Sequence, residues 1–490
     1  MRRIFSNPVT ALAAGLCLRL FFVLKYPANS GDTVLYEQMA TNLLKHHAYA
    51  MDVGGLVTPV DLRMPGYPAF LALVYLLTGK TGAAAHIWVM LGQVVVDLAG
   101  CVAITFLAMG LLALADGSAR QMPVIIGGLW LAALCPFTAN YTAVVLTETI
   151  AIFLTAVALV FLVGLTVSGD ELIFPVERRP WEWKNDFTFW AIPFGLVVGV
   201  GTLFRPEAPL LLIAALIANG FVLLPRRKVR QWIFIALYSG AACVLPLAPW
   251  AVRNAMTLHK VQFLAPKNSN LPGELVPYGF MAWEKTWLFR MKDCYLVPWK
   301  LNDEAIDVDT IPRRAFDTEE EKQRVAAVLE RYNDDLTLTP EEDALFAQLA
   351  RERTARHPLR TYVWLPALRA ATMWFTPRIE LVPVAGHVFP LAQMHEDDPV
   401  DQYVTAGLFF LNIIYVGLGA LGAWRLWRWN RAPRPAVAAL ALFVVLRTAF
   451  LTTLETPEPR YVLVCFPVVL AFAATLFGKP YERSLEEARS

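Results

Sequence analysis

The sequence predicts an all-α polytopic membrane protein with about ten transmembrane helices. Of its 490 residues 57% are hydrophobic and only 17% are charged, which is too few polar residues to cover a soluble protein of this size. The mean hydropathy is +0.47, and the apolar residues form blocks of about 20, the length that crosses a bilayer as a helix. We expect a helical bundle, juxtamembrane helices in the first outer loop and a small, mainly helical outer domain.

The apolar blocks predict ten spans, two of them short enough to indicate tilted or broken helices. The first block carries Arg19 and no small-residue cleavage site follows it, which indicates a retained span rather than a signal peptide. The predicted spans are 8–27, 84–114, 123–140, 143–166, 189–204, 206–224, 231–250, 403–424, 436–453 and 460–478.

Basic residues between the spans predict the orientation of the chain. Two arginines precede span one, and basic stretches separate spans four and five (ERRPWEWK), six and seven (PRRKVR), and eight and nine (RLWRWNRAPRP). The opposite short connections nearly lack Lys and Arg. We therefore expect a multi-pass protein of the inner (plasma) membrane with both termini in the cytoplasm and residues 28–83 and 251–402 outside.

Three parts follow from this topology. Residues 1–250 form an N-terminal transmembrane module that contains the first outer loop, 28–83. Residues 251–402 form the outer domain, and 403–490 supply the last spans and a short cytoplasmic tail. In the outer domain, 317–335 carries an apolar stripe at helical spacing, and TPEE (339–342) has the pattern of a capping box at a helix start.

Several classes of function lack support in the sequence. A net charge of +2 gives no argument for nucleic acid. Five of the six cysteines lie in apolar runs and only Cys294 lies in a polar segment, so no disulfide is expected within the outer domain, and no Cys/His cluster has zinc spacing. TGKT (78–81) lacks the first glycine of a phosphate loop, since Val74 stands there, and is interpreted as an interfacial turn.

Charged residues instead gather at the outer boundary of the predicted spans. Each has a simpler structural interpretation: Asp32 could cap a helix, boundary arginines could extend to lipid headgroups, Asp97 could be paired inside the bundle, and HEDD (395–398) could be solvated rather than bind a metal. Their placement on one face is the stronger signal. The residues are Asp32, Arg63, Glu148, Arg205, Glu207, Arg253, Glu455, Glu458 and Arg460.

This combination suits chemistry on a lipid-linked phosphate. Arginine forks match phosphate oxygens with two contacts, and a carboxylate can take the proton of an incoming hydroxyl. A lipid phosphate leaves as an anion, so a single base suffices, in contrast to glycoside hydrolysis, where an acid protonates the leaving oxygen.

Ordered stretches resemble the GT-C superfamily of polyprenyl-phosphate-sugar-dependent glycosyltransferases, closest to the protein O-mannosyltransferase and lipid A aminoarabinose transferase group. They are GDTVLYEQMATNLL, RMPGYPAFLALVYLLTG, LTETIAIFL, GVGTLFRPEAPLLL, LPLAPWAVRN, HPLRTYV and EPRYVLVCFPVVLAF. The resemblance implies a GT-C-like bundle and a hexosyl- or pentosyltransferase. The sequence departs from the family pattern at Thr33, where many relatives have a second acid, and at Arg63, where some relatives have Lys. Residues 255–400 have no detailed match in the family.

The resemblance also implies roles for single residues. Asp32 corresponds to the catalytic base, and Arg63, Arg253 and Arg460 correspond to residues that bind the donor phosphate. For Arg253 and Arg460, the alternative role is to order the outer domain. Glu148 corresponds to a second acid. Further site candidates are Tyr36, Tyr67 and Arg205. No cofactor is indicated with certainty, although some relatives use a divalent cation.

The expected reaction moves a sugar from a polyprenyl-phosphate donor to a hydroxyl of an envelope acceptor at the outer face, with inversion. The partners would be the lipid-linked donor, the acceptor and the bilayer. Two alternatives stay open. A transporter or flippase of a lipid-linked sugar would use charges at mid-membrane, with Asp97, Arg19 and Arg447 as candidates, and a non-catalytic scaffold for envelope assembly would use none.

Overall fold

The computed structural model describes residues 6–115, 122–168, 187–268, 270–271, 274–376, 399–429 and 431–478. The stretches ERRPWEWK and HEDD, and the arginines before span one, lie outside the described residues. Within these ranges the chain is helical apart from one short hairpin and irregular connections.

The first half of the chain forms eleven α-helices and two strands among the described residues. In chain order they are α1 (Pro8–Lys25), α2 (Gly31–Lys45), β1 (Ala50–Val53), β2 (Leu56–Pro59), α3 (Gly66–Thr78), α4 (His86–Ala115), α5 (Met122–Ala133), α6 (Pro136–Ala139), α7 (Glu148–Ser168), α8 (Phe187–Thr202), α9 (Leu210–Leu223), α10 (Val229–Val244) and α11 (Ala248–Leu258).

The second half continues with α12 (Tyr278–Glu284), α13 (Met291–Cys294), α14 (Glu319–Asp335), α15 (Pro340–Arg356), a π-helical turn (Arg360–Trp364), α16 (Leu365–Phe375), α17 (Pro399–Trp429), α18 (Arg434–Leu451), a 3₁₀ segment (Pro459–Cys465) and α19 (Phe466–Ala474). Further 3₁₀ turns are Gly82–Ala85, Asn140–Ala143, Leu245–Leu247, Val308–Thr310, Arg313–Ala315 and Thr475–Phe477.

The prediction of an all-α, multi-span membrane protein is confirmed. Among the described residues seven helices are long and apolar enough to cross a membrane, or eight if the pair Met122–Ala133 and Pro136–Ala143, bent by 50°, is one broken span. The predicted spans 189–204 and 206–224 correspond to α8 and α9, which are apolar but shorter than a full crossing. All ten predicted spans therefore coincide with apolar helices.

The first loop, 28–83, folds back onto the bundle and carries the only strands of the described chain. β1 and β2 pair antiparallel with Val53 opposite Leu56, and the two residues between them, Gly54 and Gly55, both have positive φ. Such a two-residue turn needs residues without a Cβ penalty, which explains the Gly-Gly sequence. The sequence pattern did not predict this hairpin.

Three contacts attach the first loop to the bundle. The Ala28 N–H donates to the Ala143 carbonyl at 3.0 Å, and the Gly66 N–H donates to the Leu203 carbonyl at 2.7 Å. Arg253 donates to the Val60 carbonyl at 2.8 Å. These bonds fix the start of the loop and the stretch between β2 and α3, so residues on these parts keep a defined position over the bundle.

The segment after α11 has a hydrophobic core of its own, separate from that of the bundle. Trp283, Trp287, Phe280 and Phe346 are fully buried there. The predicted apolar stripe of α14 is confirmed, since Val325, Val328, Leu329 and Tyr332 are buried. The predicted capping box of α15 is also present, with Thr339 N–H donating to Glu342 Oε2 at 2.9 Å. The predicted boundaries at 250 and 402 stay predictions, and helices α11 and α17 lie close to them.

Inside the bundle, Arg19 and Asp97 form a buried ion pair, with Arg19 Nε donating to Asp97 Oδ2 at 2.6 Å. Arg19 also donates to the carbonyls of Gly15 and Ala133, each at 2.8 Å. The structural interpretation of Asp97 as a paired residue is therefore confirmed. Pairing and hydrogen bonds to the Gly15 and Ala133 carbonyls offset part of the cost of burying these charges.

Candidate active site

A cavity of about 720 Å³ lies where the first loop meets the bundle. Its walls come from the start of α2, the returning stretch before α3, the start of α7, the α8–α9 connection and the residues on either side of the α18 end. The polar residues that line it are Asp32, Tyr36, Arg63, Thr147, Glu148, Arg205, Glu207, Lys267, Thr453, Arg460 and Tyr461. Six of the eight predicted site residues thus share one cavity.

Asp32 occupies the second position of α2 and its carboxylate points at two arginines. Arg63 donates to Asp32 Oδ1 at 2.6 Å, and Arg460 lies 3.9 Å from Asp32 Oδ2. Ser30, rather than Asp32, is the N-cap. Asp32 is therefore not the cap residue, and the N-terminal end of α2 additionally favours its negative charge.

Neighbouring residues hold this end of α2 in place. The Ser30 N–H donates to Thr33 Oγ1 at 3.0 Å, and Thr33 Oγ1 donates to the Val145 carbonyl at 3.0 Å. Thr33 is buried. The Thr33 hydroxyl thus joins the start of α2 to the segment before α7.

Arg63 reaches the cavity from the irregular stretch that follows β2. Tyr49, at the other side of the hairpin, donates its hydroxyl to the Arg63 carbonyl at 2.9 Å. The guanidinium is half-buried, with 26% of the side chain exposed. It can therefore be approached by a ligand in the cavity while it contacts Asp32.

Glu148 and Arg205 form a buried ion pair beneath Asp32. Glu148 begins α7 and only 1% of its side chain is exposed. Its Oε2 atom has no protein partner among the described residues, and Arg460 lies 3.9 Å from its Oε1. Arg460 therefore stands between the two acids, while Glu458 holds it from the other side at 2.5 Å.

A further pair lies behind this group. Arg447 of α18 contacts Glu207 at 2.9 Å and donates to the Tyr461 carbonyl. Arg447, a candidate mid-membrane charge, is thus satisfied within the protein. Together the pairs form a connected array in which each carboxylate faces at least one guanidinium.

The array determines which groups are charged. Burial alone would raise the pKa of Asp32, but the guanidiniums of Arg63, Arg460 and Arg205 outweigh it and hold the pKa below its ordinary value. Burial raises the pKa of Tyr36 to about 12, with a further contribution from Asp32. Asp32 is therefore an ionised carboxylate at neutral pH, and Tyr36 is a neutral phenol.

Two predicted site residues lie outside the cavity lining. Tyr67 is fully buried, donates its hydroxyl to Gln93 Oε1 at 2.7 Å and packs edge-on against Tyr36 with ring centroids 5.1 Å apart. Arg253 donates to the Tyr49 carbonyl at 2.5 Å besides that of Val60. These contacts give Arg253 a position that orders the first loop, and its direct contact with a phosphate stays a prediction.

Lys267 and Tyr461 line the cavity but were not predicted as site residues. Lys267 is 56% exposed and lies 3.8 Å from Glu455. It belongs to the irregular stretch after α11, where no periodic pattern indicates which side chains turn inward. Tyr461 directly follows Arg460 in the stretch EPRY, so the family resemblance contained a signal for Tyr461 as a site residue.

One side of the cavity is apolar and is lined by residues at the start of α9 and around the end of α18. They are Pro209, Leu210 and Ile213 on one helix, and Phe450 and Leu454 at the other. Ile213 and Phe450 are 46% and 44% exposed, so the apolar side of the cavity reaches the outer surface of the bundle.

The donor set of the cavity does not suit a divalent cation. Among the described residues no group of three His, Cys, Asp or Glu side chains is placed to hold a metal. The carboxylates of Asp32, Glu148 and Glu207 each face an arginine, and a cation beside these guanidiniums would be repelled. The family resemblance allows a divalent cation as a cofactor, and the reaction proposed for this protein includes no step on a metal.

Comparison with known proteins gives structural neighbours alone. No family model matches the chain, and none of the curated proteins matches it. Among solved structures, the archaeal oligosaccharyltransferase AglB from Archaeoglobus fulgidus, in complex with an inhibitory peptide and a dolichol-phosphate, is similar at 11% identity and a TM-score of 0.47. That similarity covers 96% of this chain and 50% of AglB.

A second similar structure is ArnT from Cupriavidus metallidurans bound to undecaprenyl phosphate, at 14% identity and a TM-score of 0.38, covering 96% of this chain and 77% of ArnT. Another AglB structure, a complex with Zn and sulfate, has 12% identity and a TM-score of 0.44, covering 95% of this chain and 48% of AglB. Both proteins belong to the GT-C superfamily, which the sequence resembles. The chain spans about half the length of AglB, and at these identities and TM-scores no residue is equated between the proteins.

Proposed function

We propose that this protein is a membrane glycosyltransferase that moves a sugar from a polyprenyl-phosphate donor to a hydroxyl group of an envelope acceptor. One observation carries the proposal: Asp32, an ionised carboxylate, lies between Arg63 and Arg460 in a cavity with an apolar side that reaches the surface of the bundle. A base, two guanidiniums and an apolar surface for a lipid chain are what the reaction requires.

The apolar side of the cavity, at α9 and α18, suits the lipid part of the donor. The polyprenyl chain would lie along Leu210, Ile213 and Phe450, and its phosphate would reach the arginines at the polar end. AglB and ArnT are described with dolichol-phosphate and undecaprenyl phosphate, which are ligands of this class.

The reaction then needs one proton transfer and one substitution. Asp32 takes the proton of the acceptor hydroxyl, and the acceptor oxygen attacks the anomeric carbon from the face opposite the phosphate. The bond between the anomeric carbon and the phosphate oxygen breaks, its electron pair stays on the phosphate, and configuration inverts. Arg63 and Arg460 stabilise the charge that grows on the leaving phosphate.

Asp32 has to be released from its arginines before it can act as a base. In the structure Arg63 donates to it at 2.6 Å and holds its pKa down. A donor phosphate that takes over the Arg63 contact would restore basicity to Asp32. Binding of the donor would in this way activate the base only when the leaving group is in place.

The orientation remains part of the proposal. The basic connections of the sequence support cytoplasmic termini, an active site that faces the periplasm or exterior, and placement in the inner membrane. Acceptors of the proposed reaction are lipids, polysaccharides or proteins of the envelope that carry a free hydroxyl on that side.

Deletion of the gene followed by mass spectrometry of envelope glycans, lipids and glycoproteins tests the proposal. We expect a species that is short by one sugar, rescued by the wild type and by Asp52→Asn, but not by Asp32→Asn at matched protein level. Asp52 is an exposed residue of the same loop outside the cavity, so it is a matched control. Rescue by Asp32→Asn would contradict the role of Asp32 and favour a transporter or a scaffold.

A further inference from the structure

A second surface feature lies on the helical segment 359–375. This segment, which includes the π-helical turn and α16, exposes large apolar side chains, with Tyr362 at 72%, Trp364 at 64% and Leu359 at 67% exposure. Trp364, Ala367, Leu368, Ala371 and Phe375 form an exposed stripe at helical spacing. No charged residue interrupts it.

The C-terminal end of this segment is packed against the spans. Trp374 Nε1 donates to Thr448 Oγ1 of α18 at 3.0 Å, and Asn412 of α17 donates to the Trp374 carbonyl at 2.6 Å. The Trp374 ring also stacks on Phe466 of α19. The exposed stripe therefore begins beside membrane-spanning helices, and an apolar helix face in this position lies in the boundary layer of the bilayer.

A groove of about 610 Å³ lies at the opposite, N-terminal end of the same segment. Its floor is formed by Trp364, Leu365 and Leu368, which belong to the segment, and its wall by Phe289 and Phe316. The groove therefore continues the apolar stripe, at the level where the segment leaves the spans and enters the domain built on α12, α14 and α15.

Basic side chains surround this apolar floor. Arg313, Arg314, Arg360 and His357 line the groove, against Asp317 as its only lining carboxylate among the described residues. Arg314 pairs with the buried Asp293, which is not part of the lining.

Arg360 and Arg313 differ in whether a carboxylate pairs with them. Arg360 makes two bonds to Asp317, at 2.7 and 3.0 Å, so these two lining charges cancel. Arg313 is exposed and has no ion pair within the described part of the chain. Acidic side chains of Asp309 and Glu319 line an adjoining hollow that Arg313 also borders.

We propose that this groove binds the headgroup phosphate of an anionic phospholipid from the leaflet next to the domain. Arg313 contacts the phosphate, and the acyl chains lie along Trp364 and Leu368 in continuity with the exposed stripe. A cationic pocket above an apolar floor at the membrane boundary matches such a lipid in charge and in polarity. A soluble phosphate would use the basic residues alone and leave the apolar floor uncovered.

The proposed lipid site is separate from the candidate active site, with which it has no lining residue in common. Thr286 and Trp287 line the groove, whereas their neighbour Lys285 pairs with Glu455 at 2.8 Å. Buried Arg369 fixes this wall, since it donates to the Leu288 carbonyl at 2.9 Å and to the Thr452 carbonyl at 3.2 Å. Lipid in the groove would thus hold the domain against the spans without entering the catalytic cavity.

Native mass spectrometry of the full-length protein in detergent tests the proposal. Phosphatidylglycerol and phosphatidylcholine with identical acyl chains are titrated in parallel, with glycerol 3-phosphate as a soluble competitor. We expect preferential retention of phosphatidylglycerol that weakens at high salt and that glycerol 3-phosphate does not displace. Arg313→Gln should weaken retention at least about fivefold, as expected for one arginine at an anionic surface.

Matched controls separate the groove from general lipid binding. Arg331→Gln removes an exposed arginine outside the groove, and Tyr362→Ala removes an exposed aromatic residue of the same segment that does not line it. Trp364→Ala should weaken retention and Tyr362→Ala should not. Equal retention of the two lipids, or equal effects of Arg313→Gln and Arg331→Gln, would overturn the proposal. Displacement by glycerol 3-phosphate would show a site for free phosphate instead.

Discussion

Replacing Asp32 by Asn is predicted to tighten the binding of polyprenyl phosphate while it abolishes sugar transfer. In the structure Asp32 competes with any bound phosphate for Arg63, at 2.6 Å, and for Arg460, at 3.9 Å. It also repels a phosphate that lies between those arginines. The amide of Asn keeps the size of the side chain but removes the negative charge and the base.

The magnitude follows from the distances. Two unit charges 4 Å apart interact by about 1 kcal/mol in water and about 4 kcal/mol at an effective dielectric constant of 20. A phosphate in contact with Arg63 and Arg460 would lie roughly 5 Å from the Asp32 carboxylate, in a cavity that is partly open. Removal of that repulsion is worth about 1–3 kcal/mol, which corresponds to roughly 5- to 150-fold tighter binding.

The assay measures the dissociation constant of undecaprenyl phosphate for the purified protein in detergent, alongside release of sugar from a lipid-linked donor. Asp52→Asn, an exposed position in the same loop, should match the wild type in both measurements. A damaged fold would weaken binding and transfer together. An Asp32→Asn affinity that is unchanged within twofold, or weaker, would refute the placement of the phosphate at these arginines.

Three further predictions concern the array and the domain. Arg63→Gln should move the acidic limb of the pH–activity profile to higher pH, because the pKa of Asp32 is then held down only by Arg460 and Arg205 and the base becomes protonated at a higher pH. Glu148→Gln should lower the thermal unfolding midpoint, since removing one partner of a buried ion pair costs roughly 3–5 kcal/mol. Gly279→Ala should destabilise the protein by about 1–3 kcal/mol, because the added methyl group overlaps the Asp343 carbonyl; differential scanning fluorimetry measures both stability effects.

Each of these predictions has a control in the chain. Arg331→Gln should leave the pH profile unchanged. Glu304→Gln removes a carboxylate that is 64% exposed and pairs with Lys300 at 3.5 Å, so it should change stability by no more than about 1 kcal/mol. Gly240→Ala adds a methyl group that meets nothing within 4 Å. An acidic limb that does not move, or test variants as stable as their controls, would contradict the corresponding argument.

The helices of the bundle could be predicted because their signal is local. A bilayer imposes a length and an apolar composition on each span, and the sequence shows both directly. The buried stripe of α14 and the capping box of α15 are local in the same sense. The hairpin of the first loop is not, because a two-residue Gly-Gly turn between strands of four residues carries too short a pattern to distinguish from an irregular loop.

The candidate site was predictable in part for a different reason. Asp32, Arg63, Glu148 and Arg460 come from four separate stretches, and only the shared face and the family resemblance connected them. No pattern in the sequence specifies which arginine faces which acid. The orientation of Arg253 toward the carbonyls of the first loop, and of Lys267 into the cavity, depends on the path of irregular backbone that has no period.

The charges of the cavity are balanced for the proposed reaction. Four cationic side chains line it, Arg63, Arg205, Lys267 and Arg460, against three carboxylates, Asp32, Glu148 and Glu207. The excess of one positive charge equals the single negative charge of a phosphodiester-linked donor. Arg447 and Glu458 behind the lining, one of each sign, leave this excess unchanged.

Transfer keeps that balance. Asp32 loses its negative charge when it takes the acceptor proton, and the leaving phosphate gains one when the bond to the sugar breaks. The charge inside the cavity is therefore the same before and after the chemical step, so no buried charge is created. Once Asp32 returns its proton to solvent, the doubly charged phosphomonoester exceeds the single excess positive charge of the lining by one negative charge. Repulsion from the ionised Asp32 then favours release of the lipid phosphate.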